Sequence, residues 1–115
     1  MKILLVDDDP SVTVLLKEFL RLKHQVHECK SGDEAIALIG RSNIKFDLII
    51  CDYKMPNGNG IDVLEFINAH SFDTRFILFT SNTDLEVPVT YDRFLGLYPK
   101  DDLDKLLKDI PSDFY

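Results

Sequence analysis

The chain has 115 residues, 45% of them hydrophobic, enough for one core and too few for a second fold beside it. Twenty Asp and Glu against thirteen Lys and Arg leave a formal charge of −7. That excess repels phosphate backbones and anionic headgroups, which argues against direct nucleic-acid or membrane-surface binding and leaves the acidic groups to be solvated, cation-bound or paired.

In chain order, Ile3–Val6 is a short continuous apolar run, the pattern of a strand buried on both faces. Its four residues end in three aspartates, so it is neither a secretory core segment nor a membrane span. Asp9 caps a helix with Pro10 at its first position, and Val12, Leu15, Leu16 and Phe19 recur at helical spacing. Gln25–Lys30 reads as a second strand, and Ser31 with Glu34 has capping-box spacing ahead of Ala35, Leu38 and Ile39. Phe46–Cys51 is the strongest strand and stops at Asp52. A loop rich in Pro, Asn and Gly follows over Tyr53–Gly60, then a helix face of Val63, Leu64, Phe66 and Ile67 with Asp62 in its first turn.

Arg75–Phe79 is an apolar strand ending at Thr80 and Ser81, and Phe94–Tyr98 is the last strand. Leu103, Leu106, Leu107 and Ile110 form a closing helix face that Pro111 stops. Between them, Asn82–Arg93 occupies the slot of a further helix. Val87-Pro88-Val89-Thr90 sets a proline among three β-branched residues, so a short or distorted helix, or a loop, is expected there. Cys29 and Cys51 are too few for a disulfide framework and sit in strand-like segments, which predicts reduced buried thiols and a soluble, cytoplasmic protein.

Strands alternating with helices predict one α/β domain over residues 1–115: an open parallel sheet with helices on both faces and right-handed crossovers. Ligands of such sheets bind beyond the carboxyl ends of the strands. The residues found there are Asp7, Asp8 and Asp9 after the first strand, Asp52 after the third, Thr80 after the fourth and Lys100 after the fifth. Converging carboxylates with few other ligands suit Mg²⁺, and a carboxylate can act as a nucleophile toward phosphorus. Lys and Thr at the same edge supply the charge and hydrogen bonds a phosphoryl group needs.

These segments, "ILLVDDDP" at 3–10, "DLIICDYKMPNGNGID" at 47–62, "FILFTS" at 76–81 and a lysine at 100, resemble the receiver domain of two-component response regulators. The resemblance implies a flavodoxin-like, five-stranded doubly wound fold that is phosphorylated with Mg²⁺ by a sensor histidine kinase or a phosphotransfer protein. It implies a switch rather than an enzyme in the ordinary sense. Asp52 would be the phosphoacceptor, Asp8 a direct Mg²⁺ ligand, Asp7 a ligand through water, and the Lys54 backbone carbonyl a third protein ligand. Thr80 would hydrogen-bond the phosphoryl oxygen and Lys100 would pair with it.

Three positions depart from the family pattern. Lys100 is followed by Asp101 instead of proline, with Pro99 before it, so the lysine must be aimed by different loop geometry. Leu97 stands where the family carries its switch aromatic, and Tyr98, one place on, would face the other side of the strand. Lys54 follows the acceptor by two residues and is placed to add a cation near the phosphoryl group. The expectation is a stand-alone or excised phosphoaccepting receiver with an unknown downstream protein target. The alternative is a pseudo-receiver that keeps the fold as a phosphorylation-independent interaction module.

Overall fold

In the computed structural model, which describes residues 1–41, 44–70 and 73–110, alternation of strand and helix follows the apolar runs closely. The elements are β1 (Lys2–Val6), α1 (Pro10–Leu20), β2 (Gln25–Cys29), α2 (Gly32–Arg41), β3 (Leu48–Cys51), α3 (Gly60–Ala69), β4 (Arg75–Thr80), β5 (Phe94–Pro99) and α4 (Leu103–Asp109). Pro111, expected to end the closing helix, lies outside the described residues.

The five strands are all parallel, in the order β2-β1-β3-β4-β5. Because β2 lies to one side of β1 and β3–β5 to the other, the chain reverses its direction of travel between β1 and β3. In doubly wound sheets that reversal opens a crevice at the strand carboxyl ends. Val6 pairs with Cys51 across it, so the next residues of the two strands, Asp7 and Asp52, are neighbours.

Strand pleating divides the apolar residues between two cores. Leu4, Val6, Ile49, Phe76 and Leu78 face α2 and α3, meeting Ala35, Ile39, Val63, Leu64 and Ile67. Ile3, Leu5, Ile50, Ile77 and Phe79 face the other way, against Leu16 and Leu20 of α1 and Leu106 of α4. β1, β3 and β4 are therefore apolar at nearly every position because both their faces are covered.

The helix starts carry the caps that fix the loops of the crevice. Asp9 accepts a hydrogen bond from the Ser11 N–H (3.0 Å), with Pro10 in the first turn of α1 as expected. Ser31 accepts from the Glu34 N–H, while Glu34 reaches back to the Lys30 N–H, one residue earlier than a standard capping box. At α3 the reciprocal box is complete: Asn59 accepts from the Asp62 N–H (2.9 Å) and Asp62 from the Asn59 N–H (3.0 Å). Asp62 thus does more than favour the helix dipole.

Of the outcomes expected for Asn82–Arg93, the loop is the one realised. Leu85, Val87, Val89 and Tyr91 are half-buried against the α2–α3 core while Glu86, Pro88 and Thr90 are exposed, a period-2 alternation that lays an extended strap where a helix would otherwise cover the sheet. The Tyr91 hydroxyl donates to the Thr74 carbonyl and holds its far end. In β5 the register shifts opposite Phe76 and Ile77, with Gly96 at φ +129°, a conformation that favours glycine. Past that bulge Leu97 joins the α2–α3 core and Tyr98 the opposite one, where its hydroxyl donates to Asp109 of α4 (3.0 Å). Tyr98 and Leu97 face opposite ways, as the register argument expects. Among the described residues no peptide bond is cis, which answers for Tyr98–Pro99.

Both thiols are free and buried. Burial, with a smaller contribution from Glu34, pushes the Cys29 thiol up to about 11, and burial followed by the charges of Asp52 and Asp7 pushes Cys51 well above the usual range. A raised thiol pKa removes the reactive thiolate at neutral pH. Native protein at about pH 8 should therefore take up no iodoacetamide by mass spectrometry, and both cysteines should label once urea unfolds the chain. Native labelling at the rate of a free thiol would contradict the packing.

Candidate functional site at the strand carboxyl ends

The end of β1 turns sharply, and that turn positions two carboxylates differently. The Asp7 N–H donates to Cys29 of β2, and one Asp7 oxygen accepts from the Asp9 N–H (2.9 Å), which holds Asp7 into the crevice. Asp7 is buried and Asp8 exposed. From β3, the Asp52 N–H is bound by the Val6 carbonyl (2.8 Å), and Asp52 Oδ1 accepts from the Tyr53 N–H (2.7 Å). Oxygens of Asp7, Asp8 and Asp52 all lie within 4.8 Å of one another. This hard, oxygen-only donor set fits a divalent cation that keeps waters, as Mg²⁺ does.

Lys100 reaches the same point from β5, two strands away. Its N–H donates to the Thr80 carbonyl at the end of β4 (3.1 Å), which fixes the backbone. Its ammonium then lies 2.8 Å from Asp52 Oδ2 and 2.9 Å from Asp7 Oδ2, at 16% side-chain exposure. Asp101 in place of proline thus leaves the lysine aimed into the crevice, anchored through Thr80. Burial works against this ammonium, but the hydrogen bonds and charges of Asp52 and Asp7 outweigh it and its pKa rises. Burial also pushes the Asp7 carboxyl up, more strongly than the Lys100 hydrogen bond draws it down.

Thr80 is 2% exposed, and its hydroxyl oxygen accepts from the Asn82 N–H (3.2 Å). The hydroxyl that closes β4 therefore also holds the first residue of the strap. Lys54 is exposed and forms no ion pair among the described residues. The structure brings Asp7, Asp8, Asp52 and Lys100 together and ends the neighbouring strand with Thr80. Lys54 stays in the loop two residues past Asp52.

The residues 3–94 match the response regulator receiver domain family. The chain belongs to that family. Lys100 lies beyond the matched span, in the stretch where the sequence departs from the pattern. Among relatives, the transcriptional regulatory protein CpxR of Klebsiella pneumoniae is 39% identical over 97 residues, covering 84% of this chain and 38% of that protein. The two-component response regulator ARR14 of Arabidopsis thaliana is 35% identical over 79 residues, covering 68% and 21%. The chain thus spans well under half the length of these relatives. The structure of the response regulator protein TrrA from Thermotoga maritima, in complex with Mg²⁺ and BeF, superposes with a TM-score of 0.77 at 28% identity, covering 96% of this chain and 98% of that one. The receiver domain of the hybrid histidine kinase CckA has the same fold, with a TM-score of 0.79 over the full length of both chains at 21% identity. No helix among the described residues is long and apolar enough to cross a membrane.

Gly60 is a site residue that the sequence reading passed over. A Cβ there would run into the Asp52 carbonyl oxygen and come within 2.7 Å of Leu78 Cδ2, and the Gly60 N–H donates to the Tyr53 carbonyl (2.8 Å). The start of α3 is thereby pressed against the backbone that carries Asp52. Gly60→Ala should displace that backbone and cost about 1–3 kcal/mol in urea denaturation, the usual range for overpacking a tight interior. Unchanged stability with unshifted amide resonances at Asp52 and Tyr53 would refute the close approach.

Proposed function

We propose that Asp52 is the phosphoacceptor of this receiver domain, phosphorylated by a sensor histidine kinase or a phosphotransfer protein. The observation that carries the reading is the grouping at the sheet's switch point: three carboxylates within 4.8 Å, with one lysine bridging two of them. Asp8, Asp52 and the Lys54 carbonyl would hold Mg²⁺, with Asp7 acting through a bound water. Mg²⁺, when bound, supplies positive charge to neutralise the oxygens of an incoming phosphoryl group.

The chain's own residues would do the rest. Asp52 Oδ1 is fixed by the Tyr53 N–H, which leaves Oδ2, the oxygen facing Lys100, as the nucleophile best placed for in-line attack. The Oδ2–phosphorus bond forms as the bond from phosphorus to the donor's histidine nitrogen breaks, and the electron pair of that bond leaves with the donor. Lys100 exchanges part of its contact with Asp52 for the new phosphoryl oxygens, which spread the negative charge it already faces. The Thr80 hydroxyl proton is available to those oxygens because its oxygen, not its hydrogen, is engaged by Asn82. Drawing Thr80 toward the phosphoryl group would pull on the strap through that N–H, a two-state element of the kind that carries signals.

Addition of Mg²⁺ with beryllofluoride, a phosphoryl mimic, should shift the amide resonances of Asp52, Thr80, Asn82 and Lys100. The Asp52→Asn protein should show no such response. Silence in the wild type with Mg²⁺ present would favour the phosphorylation-independent reading instead. Lys54, exposed beside the acceptor, bears on how long the phosphoryl group lasts. Lys54→Ala should change the rate of dephosphorylation while leaving Mg²⁺ affinity, read by titration, nearly intact, and equal rates in the two proteins would remove that role.

A further inference from the structure

The opposite end of the sheet carries a second charged surface. At the amino ends of the strands, Lys2, Arg21, Lys23 and Lys45 line an open groove of about 740 Å³ beside Leu22 and a single carboxylate, Asp47. A smaller depression of about 180 Å³ adjoins it through Lys45 and adds Arg75 and Arg93 with Asp73. Six of the thirteen basic side chains in a chain of net charge −7 thus gather at one end. Lys2 and Lys45 form no ion pair among the described residues, while Arg21 is held by Glu18 (3.6 Å) and Arg93 by Asp73 (3.3 Å).

Helix C-termini share this end of an α/β sheet and attract cations, which would account for Arg21 and Lys23 after α1. It does not account for the other four. Lys2 and Arg75 begin strands, Arg93 immediately precedes β5, and Lys45 lies three residues before β3. Their common address comes from the parallel sheet, which sets all five strand starts in a row.

We propose that this groove binds an acidic polypeptide segment that carries an apolar side chain. The basic groups call for anions spread over a length. Leu22, 79% exposed in the lining, calls for an apolar partner that an inorganic ion does not supply. The partial negative charge of the α1 C-terminus disfavours a compact, doubly charged phosphate here. A peptide spreads its carboxylates toward the lysines and presents N–H donors of its own.

The test follows amide resonances of the full chain during titration with the peptide Glu-Glu-Leu-Glu-Glu-Leu-Glu-Glu. Parallel titrations use the all-glutamate peptide, pyrophosphate and a short single-stranded DNA. The leucine-bearing peptide should shift Lys2, Leu22, Gln25 and Lys45 and bind more tightly than the other three probes. Lys2→Glu with Lys45→Glu should weaken it about tenfold or more, since like charges then face each other. Leu22→Asp, a change at an exposed position, should weaken it similarly, and both variants should keep the response of Asp52 to Mg²⁺ and beryllofluoride. No shift with any probe, preference for pyrophosphate or DNA, or unaltered affinity in the variants would overturn the proposal.

Discussion

The crevice depends on one ammonium. Strand order makes the ends of β1 and β3 adjacent, so the fold itself forces Asp7 and Asp52 together at a place largely withdrawn from water. Burial raises the cost of ionising Asp7, and the nearby Asp52 charge adds a little to it, as the raised pKa of Asp7 reflects. Lys100 answers both from a single atom, at 2.8 and 2.9 Å. Removing it would leave two buried anionic groups facing each other, a much larger loss than breaking an exposed pair. The same cation that permits the resting arrangement is the one a phosphoryl group would meet on arrival.

How Lys100 arrives there explains the shape of the neighbouring elements. It must cross the end of β4, and it does so by fastening its own N–H to Thr80 before the side chain turns inward. Thr80 in turn holds Asn82 through its hydroxyl. Lysine, threonine and strap are therefore linked through one residue's backbone and side chain. Tyr98 of β5 plays no part in this linkage, because it lies on the other face and is tied to α4 by Asp109. Motion at Thr80 would be transmitted into an extended segment that rests on the core through alternate side chains. The path through β5 that the family's usual aromatic would offer is replaced by Leu97, which packs on the same core as the strap.

Much of this was legible in the sequence because each strand is short, apolar and punctuated. Ile3–Val6 followed by three aspartates, and Phe46–Cys51 followed by Asp52, announce both the strand and the polar residue at its end. Asn82–Arg93 was legible as a departure, since Pro88 among β-branched residues defeats a helix. Its alternation over Leu85–Tyr91 carried the further signal of an extended segment. Asn59 and Asp62 have the spacing of a capping box, which a reading focused on the dipole assigns to Asp62 alone. Gly60 was not legible: nothing in a loop with two glycines distinguishes the one that lies on the Asp52 backbone. The route of Lys100 was equally hidden, because it depends on which strand stands between β5 and β3.

Charge shows the same limit most clearly. As a total, −7 argued only against direct nucleic-acid and membrane-surface partners. Placed on the fold it resolves into two ends of opposite character, with carboxylates at the strand carboxyl ends and basic side chains at the strand starts. Lys2, Lys45, Arg75 and Arg93 are far apart in the chain and form no motif. A parallel sheet aligns them because every crossover returns the chain to the same end before the next strand begins. Across strands of only four to six residues, two regions of opposite field then lie about 15–20 Å apart, beyond the Debye length at physiological salt. At that separation the two ends are electrostatically independent, so the acidic segment proposed for the strand starts would leave the field at the proposed phosphoacceptor unchanged.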